Sequence, residues 1–252
     1  MYKIPAKTVF LGKNLVFVPE CHSTNALAHE LGQNTPIVEG TVIVTSNQTA
    51  GRGQRGNSWD SEAGKNLTFS VIVKPRFLAV RDQFFLNIIT CLAVRDVVSD
   101  KLSAQASVKW PNDILIEQKK LCGILIENQI QGQQVSSSVI GIGINVNQQH
   151  FDLATATSLS RQTRKQFDLP SLFEEALGRL ESRYLQLRAG QLDVLREEYL
   201  KHLYWKNEIH TFASMQGQFQ GRITGIDASG RLTVSVANEE KTFQIQELRY
   251  LE

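Results

Sequence analysis

Two short β-branched runs, Thr41-Val42-Ile43-Val44-Thr45 and Leu67-Thr68-Phe69-Ser70-Val71-Ile72-Val73, bracket the hexapeptide Gly51-Arg52-Gly53-Gln54-Arg55-Gly56. The hexapeptide fits G-x-G-x-x-G, the pattern of a dinucleotide-binding turn. That pattern has physical content only when a strand precedes it and a helix opens inside it, because the helix N-terminus faces the pyrophosphate. The strand is present, but the helix is not. Asn57 to Gly64 has no helical period and ends in glycine, and the next periodic segment is again a strand. The glycines therefore lie on a long loop between two strands, which excludes a Rossmann turn. A flexible loop with two arginines needs a different purpose.

The rest of the chain divides by period. Ser23-Thr24-Asn25 precedes Ala26 to Gly32, an N-cap followed by a short helix that stops at glycine. Val80 to Leu102 carries a helical pattern with Phe84, Phe85, Ile88, Ile89, Leu92 and Val97 on its apolar face. Val108-Lys109-Trp110 is extended and stopped by Pro111. Ile114-Leu115-Ile116 and Leu121 to Glu127 predict a hairpin about Gln118-Lys119. Val139 to Val146 is a glycine-punctuated apolar strand. Pro170 opens a helical region that runs to about Trp205 and is split at Gly190. From Glu208 the period becomes two. Strands are expected at Phe219–Ile226, Leu232–Val236 and Phe243–Ile245, with turns at 227–230 and 238–240. This predicts a larger domain over residues 1–206 and a small β barrel over 207–252.

A chain of 252 residues is long enough to bury roughly 70–75% of its unfolded surface. Its net charge of +2 is too small to point to nucleic acid. Residues 207–252 hold four basic and six acidic side chains, net −2, which leaves +4 for the remainder. That bias suits an anionic small substrate. Cys21, Cys91 and Cys122 form no C-x-x-C and no zinc spacing with the five histidines, so no protein metal site is expected. Their odd number and the start of the chain predict a cytoplasmic location, with neither secretion nor a membrane span.

Several segments recur together: STN at 23–25, QTAGRGQRG at 48–56, Trp59, KWPND at 109–113, KLCGILIE at 120–127 and GIGINVN at 141–147. In this order and at these gaps the chain resembles the biotin protein ligases, strongly over residues 17–147 and weakly to its end. The resemblance implies an α+β fold: a mixed β-sheet flanked by helices, of the class II synthetase-like biotin/lipoyl ligase type, followed by a small SH3-like barrel. It implies a two-step reaction. Biotin and ATP, with Mg2+, form biotinyl-5′-AMP and pyrophosphate; a lysine of a biotin carboxyl carrier domain then takes the acyl group and AMP leaves. An anionic nucleophile must meet an anionic phosphate, so cations and N–H donors must offset the repulsion. The mixed anhydride must also be kept from water. A glycine loop bearing arginines can do both by ordering over the ligand.

By resemblance, Lys120 contacts the biotin carboxylate and the phosphate, although read alone it is a solvated hairpin lysine. Arg52, with Gly51, Gly53, Gln54 and Arg55, belongs to the loop that closes on ligand. Gln48 and Ser23, Thr24 and Asn25 match contacts to the ureido ring, and the last three also read as a helix cap. Gly123 would let the valeryl chain lie close to the sheet. Trp59 matches an adenine-packing residue, with a core tryptophan as the rival reading. Lys109, Asn112 and Asp113 line the same site, Asp113 as the group that orients or deprotonates the attacking amine. Trp110 and Cys122 read as core.

Relatives commonly carry a third arginine where this loop has Gln54, which predicts weaker retention of the adenylate unless Arg55 compensates. The pattern begins almost at the first residue, so no DNA-reading module and no direct operator binding are expected. A homodimer is compatible with the resemblance, but the sequence does not decide it. A lipoate or octanoate ligase or transferase of the same architecture lacks the paired GRGxRG and KWPND segments. A non-catalytic biotin sensor would bind without pyrophosphate exchange. Nucleic-acid binding by the barrel is disfavoured by that segment's negative charge.

Overall fold

The computed structural model describes residues 2–34, 36–102 and 104–251; the side chains of Asn34 and Arg55 lie outside that description. The first part of the chain runs β1 (Leu15–Cys21), α1 (Thr24–Asn34), β2 (Val42–Gln48), β3 (Leu67–Val73), α2 (Phe85–Ser99), β4 (Ser107–Lys109), β5 (Asp113–Ile116), β6 (Lys119–Gln131) and β7 (Gln134–Ile144). Three helices follow: α3 (Leu159–Thr163), α4 (Leu169–Arg188) and α5 (Leu192–Lys201). Gly190, at φ +76°, separates the last two at the expected residue.

The seven strands β1–β7 form one mixed sheet in the order β1-β2-β3-β7-β6-β5-β4. Only β1 and β2 are parallel; the other pairs are antiparallel. The reason β2 and β3 read as unbroken apolar runs is now visible. Side chains alternate across a strand, and both faces of these strands are covered. Val42, Val44, Phe69 and Val71 join α2 and α4 in the main core. Ile43, Ile72 and Val139 point the other way, onto Ala28 of α1. Phe173 of α4 has its ring edge against Phe69, with centroids 5.3 Å apart. Truncating such a buried phenylalanine costs about 3–5 kcal/mol.

Several expectations need correction. Strand β1 and helix α3 had no predicted counterpart. β1 is an edge strand containing Pro19, and its mixed burial hides the period-two signal. The helix expected from Val80 begins at Phe85. Its first turn is instead a 3-10 turn at Val80–Asp82, because Val80 N–H donates to Gln133 O and Ala79 bridges Gln134 beside β7.

The C-terminal segment forms β8 (Ile209–Ser214), β9 (Gly217–Ile226), β10 (Leu232–Val236), β11 (Glu239–Phe243) and β12 (Arg249–Tyr250). Their order is β11-β10-β9-β8-β12. This is an open antiparallel sheet, not the closed barrel expected. β11 is charged and exposed and β12 is two residues long, so neither edge offers a partner that would close the ring. The strand expected at 243–245 lies earlier. Ala237 and Asn238 both take positive φ, +50° and +68°, and make the tight hairpin themselves, so Glu239 and Glu240 already pair with β10. The small sheet packs on the larger unit. Phe212, Ile223, Leu232 and Val234 share one continuous core with α2 and α5. Gly230, at φ +85°, lies so close to Phe84 that a Cβ would clash with its ring.

Candidate active site

The glycine loop is folded rather than open. Arg52 bridges Ser58 in antiparallel fashion, Trp59 N–H donates to Gly51 O at 2.9 Å, and residues 54–56 make a 3-10 turn at the tip. Gly51 is required by this crossing, since a Cβ there would lie 2.2 Å from Trp59 O. The return strand lays the Trp59 indole flat on the sheet over Gly143 and Gly123. A Cβ on Gly143 would come within 2.4 Å of the ring, and one on Gly123 within 3.0 Å. These two glycines give an aromatic ring access to the backbone of β6 and β7. Trp59 Nε1 is buried against the sheet at Gly143 and has no hydrogen-bond partner among the described residues, an uncommon state for a buried donor.

One cavity collects residues from α1, β2, the loop, β5, β6 and β7. At one end are Ser23, Thr24, Asn25 and Gln48. The start of α1 leaves backbone N–H groups without helical partners. One of them, Thr24 N–H, donates 2.8 Å to Gln48 Oε1, which also accepts from the Thr24 hydroxyl at 3.2 Å. Asn25, almost wholly buried, sits over Gly141, where a Cβ would lie 2.4 Å from its Oδ1. At the other end are Asp113 and Lys120. Lys120 Nζ lies 2.8 Å from Asp113 Oδ1 and 5.8 Å from the centre of the Trp59 ring. The β5–β6 turn that holds this lysine uses left-handed Glu117 and Gln118, at φ +46° and +67°. Between the two ends Asn112 donates its side-chain amide to Ile124 O.

Of the residues singled out in the sequence, Ser23, Thr24, Asn25, Gln48, Arg52, Gly53, Gln54, Trp59, Asn112, Asp113, Lys120 and Gly123 line this cavity. Gly51 lies on the outer side of the loop. The Arg55 backbone is in the 3-10 turn, and its side chain lies outside the described residues. Lys109 is turned away: its Nζ sits 4.8 Å above the ring of Tyr250 in β12. Trp110 is buried and donates Nε1–H to Gly230 O at 2.9 Å, tying the KWPND segment to the small sheet. Cys122 is buried, and burial pushes its thiol well above the usual range, so it is a poor nucleophile.

Sequence reasoning passed over the side chains of Ser70 and Glu127. Ser70 lies inside a largely apolar strand, which gave its hydroxyl no separate signal. The clue to Glu127 was a carboxylate ending an otherwise apolar run. Burial works to raise the Glu127 pKa, but hydrogen bonds from Asn25 and His29 and the charge of Arg52 outweigh it and hold the carboxyl below its ordinary value.

A helix-capped polar pocket, a cationic loop and a hairpin lysine around one mixed sheet define a catalytic domain of the biotin/lipoyl ligase class. The fold matches biotin protein ligase from Aquifex aeolicus in complex with biotin and ATP at a TM-score of 0.79, with 25% identity, over 95% of this chain and 100% of that one. The chain belongs to the biotin/lipoate A/B protein ligase family, whose model matches residues 18–145. It is 35% identical over 234 residues to the bifunctional ligase/repressor BirA of Bacillus subtilis, covering 90% of this chain and 70% of that protein. It is 28% identical over 228 residues to biotin–[acetyl-CoA-carboxylase] ligase of Mycobacterium tuberculosis, covering 89% and 84%.

Proposed function

We propose that the chain is an ATP-dependent ligase that activates biotin as biotinyl-5′-AMP and transfers it to a lysine of a biotin carboxyl carrier protein. The observation that carries this reading is the meeting, in one cavity, of a polar head pocket from α1 and β2 with Lys120, Trp59 and the Arg52 loop. In the first step a biotin carboxylate oxygen attacks the α-phosphorus of ATP, and pyrophosphate leaves. Lys120 and Arg52 offset the charge brought together there. In the second step the carrier amine attacks the acyl carbon, loses a proton, and AMP leaves. In this reading Asp113, which pairs with Lys120, orients that amine or takes its proton.

ATP enters as its magnesium complex. In this reading the ion is held chiefly by substrate phosphates and water. Ser23, Thr24, Asn25 and Gln48 favour biotin over lipoate or octanoate, because a ureido ring can satisfy several buried donors and acceptors and an alkyl or dithiolane end cannot. Residues 1–206 form the catalytic unit in this reading, and 207–252 a module that positions the KWPND segment. No helix among the described residues is long and apolar enough to cross a membrane; the setting we propose is the cytoplasm. Biotin-dependent ATP–pyrophosphate exchange, followed by label transfer to a carrier domain, tests the assignment. Binding of biotin without exchange would favour a sensor and overturn it.

A further inference from the structure

Glu127 ends the K-L-C-G-I-L-I-E run and has no part in the steps above. Yet three donors, two from α1 and one from the glycine loop, meet on its carboxylate. Arg52 NH2 donates to Oε1 at 2.8 Å. Asn25 Nδ2 donates to Oε2 at 2.8 Å, and His29 Nε2 lies 3.1 Å from the same oxygen. An ionised carboxylate only accepts, so it is the side chain able to take all three donors at once. Its side chain is one-quarter exposed and that of Arg52 one-half, so the pair is neither a free surface contact nor sealed in the core.

Behind Glu127 the contacts continue. Asn25 Oδ1 lies 2.6 Å from the Ser70 hydroxyl, which is 2.7 Å from Thr24 Oγ1, and Thr24 bonds Gln48. Gln48, Thr24, Ser70, Asn25, Glu127 and Arg52 thus form an unbroken polar path. It starts at the head pocket and ends on the glycine loop. The neighbours along it come from α1, β2, β3, β6 and the loop.

We propose that Glu127 is a positioning residue that seats Arg52 against the cavity with one carboxylate oxygen and orients Asn25 with the other, so that filling the head pocket and closing the loop are coupled. This rests on the ligase reading. A glutamine at 127 keeps the shape but presents an amide donor to a set of donors and removes the charge that holds Arg52. An alanine removes both ends of the tie.

The test uses the full chain and the variants Glu127→Gln, Arg52→Gln and their combination. Two readouts are taken. One is tryptic cleavage at Arg55 in the ligand-free protein, which reports loop seating without any catalysis. The other is the release rate of biotinyl-5′-AMP. Glu127→Gln is expected to speed cleavage and to speed release about tenfold or more, as loss of a charge-assisted hydrogen bond implies. The melting temperature at neutral pH should fall by no more than a few degrees, and the double variant should release no faster than either single one. Unchanged cleavage and release in Glu127→Gln, or fully additive effects in the double variant, would overturn the proposal. Slower release in Glu127→Gln would overturn it too, because Glu127 would then compete with ligand for Arg52. If the parent chain performs no pyrophosphate exchange, the ligase reading fails, and cleavage alone still decides whether Glu127 seats the loop.

Discussion

The two ends of the cavity are built on opposite plans. At the head-pocket end Ser23, Thr24 and Asn25 are each at most 4% exposed, and Thr24 and Asn25 are tied to Gln48, Ser70 and Glu127. The cations are built otherwise: Lys120, at the other end, and Arg52, on the loop, are 39% and 50% exposed along their side chains, and each is held by a single carboxylate. Neutral recognition of a polar ring works best when its partners are fixed in advance, since buried donors and acceptors are costly to leave unpaired. Handling of phosphate charge works best with cations that can follow the ligand, because the negative charge moves and leaves during reaction.

Predictions that break this contrast begin at the exposed end. Lys120→Ala is expected to lower biotin-dependent pyrophosphate exchange by about 10²–10³-fold, the usual loss when a transition-state charge partner is removed. Its melting temperature should hardly change; near-parental exchange would remove Lys120 from the mechanism. Gln54 lines the cavity from the loop. Gln54→Arg is expected to slow adenylate release by roughly ten- to a hundredfold, since a charge-assisted contact is worth about 1.5–3 kcal/mol. A release rate equal to that of the parent would show that the loop is not short of a cation.

At the fixed end the balance should reverse. Asn25→Ala leaves the Ser70 hydroxyl to Thr24 and Glu127 Oε2 to His29, so it should cost about 0.5–1.5 kcal/mol of folding stability and raise the KM for biotin while leaving kcat within about twofold. A fall in kcat with unchanged KM would show that Asn25 acts in the reaction itself. The smallest effect sharpens the link between the ends. The Glu127 carboxyl is held below its ordinary value in the folded chain. Across the window between its ordinary and its lowered pKa the unfolded chain binds more protons, so the contribution of Glu127 is fully present above the ordinary value and fades as pH falls through the folded one. The melting temperatures of parent and Glu127→Gln, measured from neutral pH down to acid, should therefore converge. A constant gap would remove the charge on Glu127 from the stability of the pair.

The sequence was most legible where apolar residues run together or keep helical spacing. Strands β2, β3 and β7, the hairpin that carries Lys120 and the break at Gly190 were all readable from continuous apolar runs, helical spacing and turn residues. It was least legible at edges and at long range. β1 lost its period to partial exposure. The small sheet stayed open because charges on β11 and the brevity of β12 bar closure, and a strand pattern alone does not state where a sheet ends.

From its residues alone, this chain determined a glycine loop between two buried strands, a lysine at a hairpin and a short helix after Ser23, because each depends on near neighbours and on which face is apolar. Tertiary structure decided that Trp59 lies on Gly143, that Lys109 turns to Tyr250, and that Asn25 and Arg52 meet on a carboxylate 102 and 75 residues away. Such meetings depend on strand register and on the seat of α1 on the sheet. Both are products of the whole core, and no local pattern encodes them.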